Sequence, residues 1–427
     1  MQGTVETVPV RESTMETTNP IVKALIDKGV SIPDPVNVSI GDEVDPDRIS
    51  GSGVIIYPGC RIRGGSTFIM AGVKLGQEGP VTVEDSQIGR DVELKGGYFR
   101  KSVFLKGSNM ASGAHVRDAC ILEEEASCAH SVGLKHTILF PFVTLGSLIN
   151  FCDCLMAGGT NRKNHSEVGS SYIHFNYTPN QDKATASLIG DVPRGVMLDQ
   201  GPIFLGGQGG LVGPALIGYG TVIAAGIVFH GDVPEGGKLI SGGQGNDQAR
   251  KDFVPGLYLD IRRRTRINIS YIANLIALKA WYRHVRRLFG TDEILLNGAV
   301  DKLDLAIDER ALRLKALSEK MPHSIREYRS HLKDKVSQAL VEQKEELFRN
   351  RDILADTIFS FRSYQGAASQ RDAFLDALRK EVGTTENDYV KTMQGLSKQS
   401  RSLGTLWLQN IVGEITDACI EKIPLFR

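Results

Sequence analysis

The chain has 427 residues, too long for one ordinary core, so two or more domains are expected. Lysine plus arginine total 50 and aspartate plus glutamate total 50. This zero balance argues against nucleic acid or an acidic membrane surface as the main partner.

Met1–Pro20 is polar and rich in Thr and Glu. It lacks the basic start and apolar run of a signal peptide, and no apolar stretch reaches the ~18–20 residues needed to cross a bilayer. A cytoplasmic protein is expected. Residues 1–48 read as an N-terminal extension with a short helix.

From Ile49 the grammar changes. Ile56, Ile62 and Phe68 are six apart, as are Ile88 and Leu94. So are Phe104, Met110, Val116, Leu122 and Cys128, and then Val132, Ile138 and Thr144. A six-residue period fits neither a helical stripe nor an alternating strand; it is the signature of a hexapeptide-repeat β-helix. Each short strand sends one aliphatic side chain inward and a tight turn follows. Three such units close a triangular coil, and stacked coils pair their backbones. This region is expected to span 49–240. Its five cysteines (Cys60, Cys120, Cys128, Cys152, Cys154) and Cys419 form no CxxC pair. Buried reduced thiols are expected, and no metal site.

Beyond Arg250 only eight of the 46 Gly and three of the 16 Pro remain. Such a shift marks a domain boundary, placed in Ser241–Asp247. Residues 241–427 read as an α-helical bundle. In Ile267–Phe289, apolar residues recur at three- and four-residue steps. Leu303, Ile307, Leu314 and Leu317 suggest a second helix. His323–Arg349 reads as a long charged third, and Asn387–Ile423 as a last one broken near Gly404. The cluster Arg262, Arg263, Arg264 and Arg266, with Arg283, Arg286 and Arg287, has two readings. It is a phosphate or RNA site, or a solvated helix face with ion pairs. The fold class is therefore mainly β, then all-α.

Leu211–Val233 (LVGPALIGYGTVIAAGIVFHGDV) closely resembles the last coils of left-handed β-helix acyltransferases. It is most similar to the acetyltransferase domain of the bifunctional N-acetylglucosamine-1-phosphate uridylyltransferases. Ile203–Leu211 (IFLGGQGGL) continues the match. Val168–Tyr177 (VGSSYIHFNY), Lys183 and Leu188–Asp191 (LIGD) resemble that family's segment ending in Asn-Tyr, with its following lysine and Ile-Gly-Asp. Similarity covers about Gly133–Val233. Right-handed crossovers are the rule for parallel strands, so the left hand is what the resemblance implies. It also implies acetyl-CoA as donor, a sugar phosphate or nucleotide sugar (the UDP-N-acetylglucosamine class) as acceptor, and a homotrimer with sites between adjacent β-helices.

Three departures matter. No glycine-rich nucleotide loop precedes Ile49, so uridylyltransferase activity is not expected. The family's catalytic His should fall near Ser147–Phe151, where Gly146–Phe151 reads GSLINF. Val192–Pro202 is inserted, and Gly158–Asn164 lengthens an earlier loop.

Acyl transfer from a thioester needs a base for the acceptor's proton and donors for the oxyanion. His is the usual base. The candidates are His165, in a polar loop, and His174, whose strand spacing puts it on one side with Asn176; His136 is a third. Tyr177 stands beside Asn176 in the resembling segment. Arg162, Lys163 and Lys183 are candidates for phosphate contacts. By resemblance, Gly206, Ala225 and Gly226 lie where the pantetheine arm approaches the backbone, although β-helix turns need small residues anyway. The alternative function is a non-catalytic scaffold, or a nucleotide-sugar-binding protein, that has lost the usual catalytic His.

Overall fold

The computed structural model describes residues 19–242, 253–332, 336–381 and 388–427. Most of Met1–Pro20, most of the glycine-rich boundary Ser241–Asp247 and the expected helix start at Asn387 lie outside the described residues.

Strands of two to four residues stack into three parallel sheets. Face 1 holds ten strands, from Ser39–Ile40 to Val228–His230. Face 2 holds eight, from Phe68–Ile69 to Leu216–Ile217, and face 3 holds ten, from Ile55–Ile56 to Leu239–Ile240. The chain visits faces 1, 2 and 3 in turn, giving a parallel β-solenoid consistent with the β-helix that the resemblance implies. Its pairing begins before Ile49, just after helix α1 (Pro20–Asp27). Ser31 bridges to Ile55, and Ser39–Ile40 pairs with Arg61–Ile62.

The core is a column of aliphatic side chains, with Ile56, Ile62, Ile88, Leu94, Phe104, Met110, Val116 and Leu122 fully buried. At ~1.5–3 kcal/mol per buried aliphatic side chain, this column is the main stabilising feature of the solenoid. The strict six-residue count slips in places. Ile88 pairs with Phe104, Phe104 with Leu122 and Leu122 with Leu139, so these coils take 16, 18 and 17 residues. Consequently Ile69 and Leu145 fill the column, while Phe68 and Thr144 sit half-buried beside it. Ile138 is buried, but in register with Ile121 rather than with the inward-pointing Leu122.

Face 2 explains that burial. Its strands, such as Ser102–Phe104, Cys120–Leu122 and Cys154–Met156, are buried at every position. One side lines the solenoid and the other lies under the helical region. The helices are α2 (Val192–Gly195, in the insertion), α3 (Ile261–His284), α4 (Glu293–Glu319), α5 (Met321–Leu332), α6 (Gln338–Arg349), α7 (Arg351–Ser360), α8 (Ala368–Glu381), α9 (Tyr389–Gly395) and α10 (Lys398–Lys422). Helix α4 crosses the strands Gln87–Ile88, Ser102–Phe104 and Cys120–Leu122, and α3 reaches Ser187–Ile189. Apolar side chains on nearly all sides of α3 are buried because it lies between the solenoid, α4 and α10.

The expected third helix is two, α5 and α6. The last expected helix breaks at Leu396–Ser397, where the Ser397 hydroxyl caps α10 by accepting from the Ser400 N–H. Gly404 lies inside an unbroken α10. A Cβ there would come within 2.6 Å of Met197 and 2.8 Å of Phe374, so close packing rather than a bend requires the glycine. All six cysteines are buried and unpaired. No helix among the described residues is long and apolar enough to cross a membrane.

Candidate functional site

The solenoid has three corners, and the candidate residues fall on different ones. At the corner between faces 1 and 2, Asp153 is buried with a left-handed backbone (φ 59°). Its carboxylate meets Arg310 of α4 at 3.0 Å and His136 Nδ1 at 3.3 Å, and accepts from Asn176 Nδ2 at 2.6 Å. Burial alone would raise this carboxyl. Arg310, then the hydrogen bonds from His136 and Asn176, outweigh burial and hold it well below the usual carboxylate range. The chain that follows is seated under the helical region. Tyr258 donates to Asp182 at 3.0 Å, Arg310 to the Lys183 carbonyl at 3.0 Å and Asn268 to the Ala184 carbonyl at 3.0 Å. Asn176 and His136 thus belong to a docking joint. The Lys183 side chain is half-buried there and Tyr177 is exposed.

His174 is not on the surface. It takes the place of an aliphatic residue in the inner column, paired with Leu211 and edge-on to Phe151. Its Nδ1 lies 2.7 Å from the Cys152 carbonyl, and its Nε2 2.8 Å from the Ser187 hydroxyl. Burial lowers its pKa from 6.5 to about 4, so the ring is neutral. No ring nitrogen remains for an acceptor substrate.

At the corner between faces 2 and 3, Gly158–Asn164 forms a hairpin, Gly159–Asn161 pairing antiparallel with Asn164–His165. Arg162 at its tip donates to the carbonyls of Glu125 and Phe142 and to the Thr144 hydroxyl, each at 3.0 Å. It is therefore a clasp. Lys163 is exposed and His165 half-buried.

The corner between faces 3 and 1 is open. Its turns stack as Ser112, His130, Ser147, Ser170, Gly207 and Ala225, each hydrogen-bonded through the backbone to the next. Gly206 and Gly226 belong to the same column. A Cβ on Gly206 would lie 2.3 Å from the Ala225 nitrogen, so coil stacking requires that glycine; one on Gly226 would meet nothing, and that glycine answers instead to its left-handed backbone (φ 76°). Here sequence reasoning missed a histidine. His130 Nδ1 lies 2.9 Å from the Ser147 hydroxyl, both side chains facing solvent. The Ser147 N–H donates to the Ser170 hydroxyl at 3.1 Å. His130 therefore borders, one coil away, the position where the resemblance places the catalytic His. Residues 130 and 147 are one 17-residue coil apart, and that spacing was the available signal. At ~4.8 Å per coil, the Gly207 turn is roughly 10 Å from Ser147 along the corner.

No family model matches the chain. About half of it is homologous to GlmU proteins. The Bifunctional protein GlmU of Thermotoga maritima is 26% identical over 217 residues, covering 50% of this chain and 42% of that protein. The protein of the same name from Carboxydothermus hydrogenoformans is 26% identical over 232 residues, covering 54% and 46%. That from Synechococcus elongatus is 27% identical over 213 residues, covering 50% and 42%. The chain thus spans less than half the length of these relatives.

Proposed function

We propose that the protein is an acyltransferase of the hexapeptide-repeat type, taking an acyl group from acetyl-CoA to a sugar phosphate or nucleotide sugar, with His130 as general base. The observation that carries this reading is the His130–Ser147 contact. It places an exposed imidazole on the same corner as Gly206, Ala225 and Gly226, where the resemblance puts the pantetheine arm. A base must lie within hydrogen-bond reach of the acceptor's proton. Ser147, its hydroxyl 2.9 Å from His130 Nδ1, orients the ring. Assembly as a homotrimer fits the surface around this corner. Ile173, Phe175 and Val228 on face 1, and Phe204, Val222 and Leu239 on face 3, are exposed apolar residues flanking it. Lys163, exposed on another corner, would then serve a site completed by a neighbouring copy, while Arg162 keeps its structural role.

The test is acceptor-dependent release of free CoA from acetyl-CoA, with glucosamine 1-phosphate as the first acceptor. His130→Ala should lower the rate ~10²–10⁴-fold, the usual contribution of a general base. An unchanged rate in that variant would remove His130 from the mechanism. No release with any sugar phosphate or nucleotide sugar would remove the acyltransferase reading. The second reading, a non-catalytic scaffold or nucleotide-sugar-binding protein, is favoured by the seating of Asn176–Ala184 under the helices. It predicts nucleotide-sugar binding without CoA turnover.

A further inference from the structure

The arginine cluster in the helical region is not absorbed by that function. Most of it is paired. Arg263 forms two hydrogen bonds with Asp232, at 2.6 and 2.7 Å. Arg264 bonds Asp260 at 2.7 Å and lies 3.6 Å from Asp182. Arg286 is buried and bidentate on Glu124, at 2.7 and 2.8 Å, and Arg287 donates to Asn297. Among the described residues Arg262, Arg266, Arg283 and Arg287 have no carboxylate partner, and of these Arg262 and Arg266 stand together at one cleft. Both are exposed, one helical turn apart on α3, and line a cleft of about 600 Å³ between the last coils and helices α3, α6 and α10.

We infer that this cleft binds a small phosphorylated molecule, with Arg262 and Arg266 holding the phosphate. The volume falls within the ~300–1,000 Å³ range of small-molecule sites. Leu216, Leu259 and Ile267 supply apolar lining. Ser270 continues the row of Arg262 and Arg266 at four-residue steps along α3, and Thr416 stands on α10; neither hydroxyl is engaged by another described residue. Arg266 is already oriented, since its Nη1 donates to the Phe426 carbonyl at 2.8 Å, which leaves the rest of its guanidinium for an anion. The two carboxylates lining the cleft, Asp232 and Asp260, are neutralised by Arg263 and Arg264. The net charge presented to a ligand is therefore positive. A second cavity of about 330 Å³ shares Leu216 and Ser270 and gives the body of such a ligand room to extend. This site is separate from the open corner and does not depend on acyl transfer.

The test is thermal unfolding of the full chain in inorganic pyrophosphate, against sodium chloride of equal ionic strength. A saturable rise in Tm is expected. Arg262→Gln with Arg266→Gln should weaken the apparent affinity by at least about tenfold, while Arg287→Gln leaves it unchanged. An equal Tm for the double variant and the parent in chloride shows that the fold is intact. Thr416→Glu, which puts a carboxylate into the cleft and leaves both arginines in place, should also weaken binding. The inference is overturned if pyrophosphate gives no rise beyond chloride, or if the double variant keeps the full rise. Tighter binding of a uridine oligonucleotide than of pyrophosphate through the same arginines would also overturn it in favour of RNA.

Discussion

Two corners of the same solenoid treat polar residues in opposite ways. At the corner of faces 1 and 2, Asp153, His136 and Asn176 are closed in by Arg310, and every group has a structural partner. At the corner of faces 3 and 1, His130 and Ser147 touch each other and otherwise face solvent. Resemblance alone draws attention to the first, because it holds the Asn-Tyr segment. Access favours the second. A residue type that performs chemistry in one protein can serve as a fastener in another once a new element packs over it.

This contrast can be broken most severely at Arg310. Arg310→Met would leave Asp153 charged and buried without its main partner, at a cost of ~3–5 kcal/mol. Urea unfolding would measure this, and a loss below about 1 kcal/mol would mean that the joint is wet and weak. Next comes His174. Its pKa is lowered to about 4 in the fold and is 6.5 ordinarily. Between these values the unfolded chain binds the proton and the folded chain does not. Stability present above pH 6.5 is therefore lost as pH falls toward 4, by about 3 kcal/mol. Denaturant titrations at pH 7 and pH 4.5 should show the fall, and His174→Gln should flatten it.

Gly206→Ala should cost ~1–3 kcal/mol through its clash with Ala225, with or without acetyl-CoA, whereas Ala225→Ser at the exposed turn should be neutral. His130→Ala is likewise expected to stay within about 0.5 kcal/mol of the parent in stability. A large loss of stability there would make the open corner structural too and erase the contrast.

The solenoid was legible because its inward aliphatic residues recur at a nearly fixed interval. The register was not legible wherever a coil shortens, as at Ile138 and Thr144, since a one-residue change in a turn moves a side chain from one side of a strand to the other. The cover on face 2 had a signal that went unused. Cys120–Leu122 and Cys154–Met156 contain no polar residue, as expected of strands buried on both sides. The candidate site was legible only in part. Local spacing linked His174 to Asn176, but it could not say that one faces the core and the other a docked helix. His130 required counting by coils rather than by neighbours.

The straps across face 2 have a mechanical consequence. Arrays of stacked repeats touch only their neighbours and tend to fray from their ends. Here α4 lies across three successive coils, and arginines of the helical region reach Glu124, Asp153, Asp182 and Asp232. Coils far apart in the stack therefore share the same external tie and should open as one cooperative block. None of these arginine ties reaches the coil of Ser39–Ile40, so its amides are expected to exchange with solvent before those of the strapped coils.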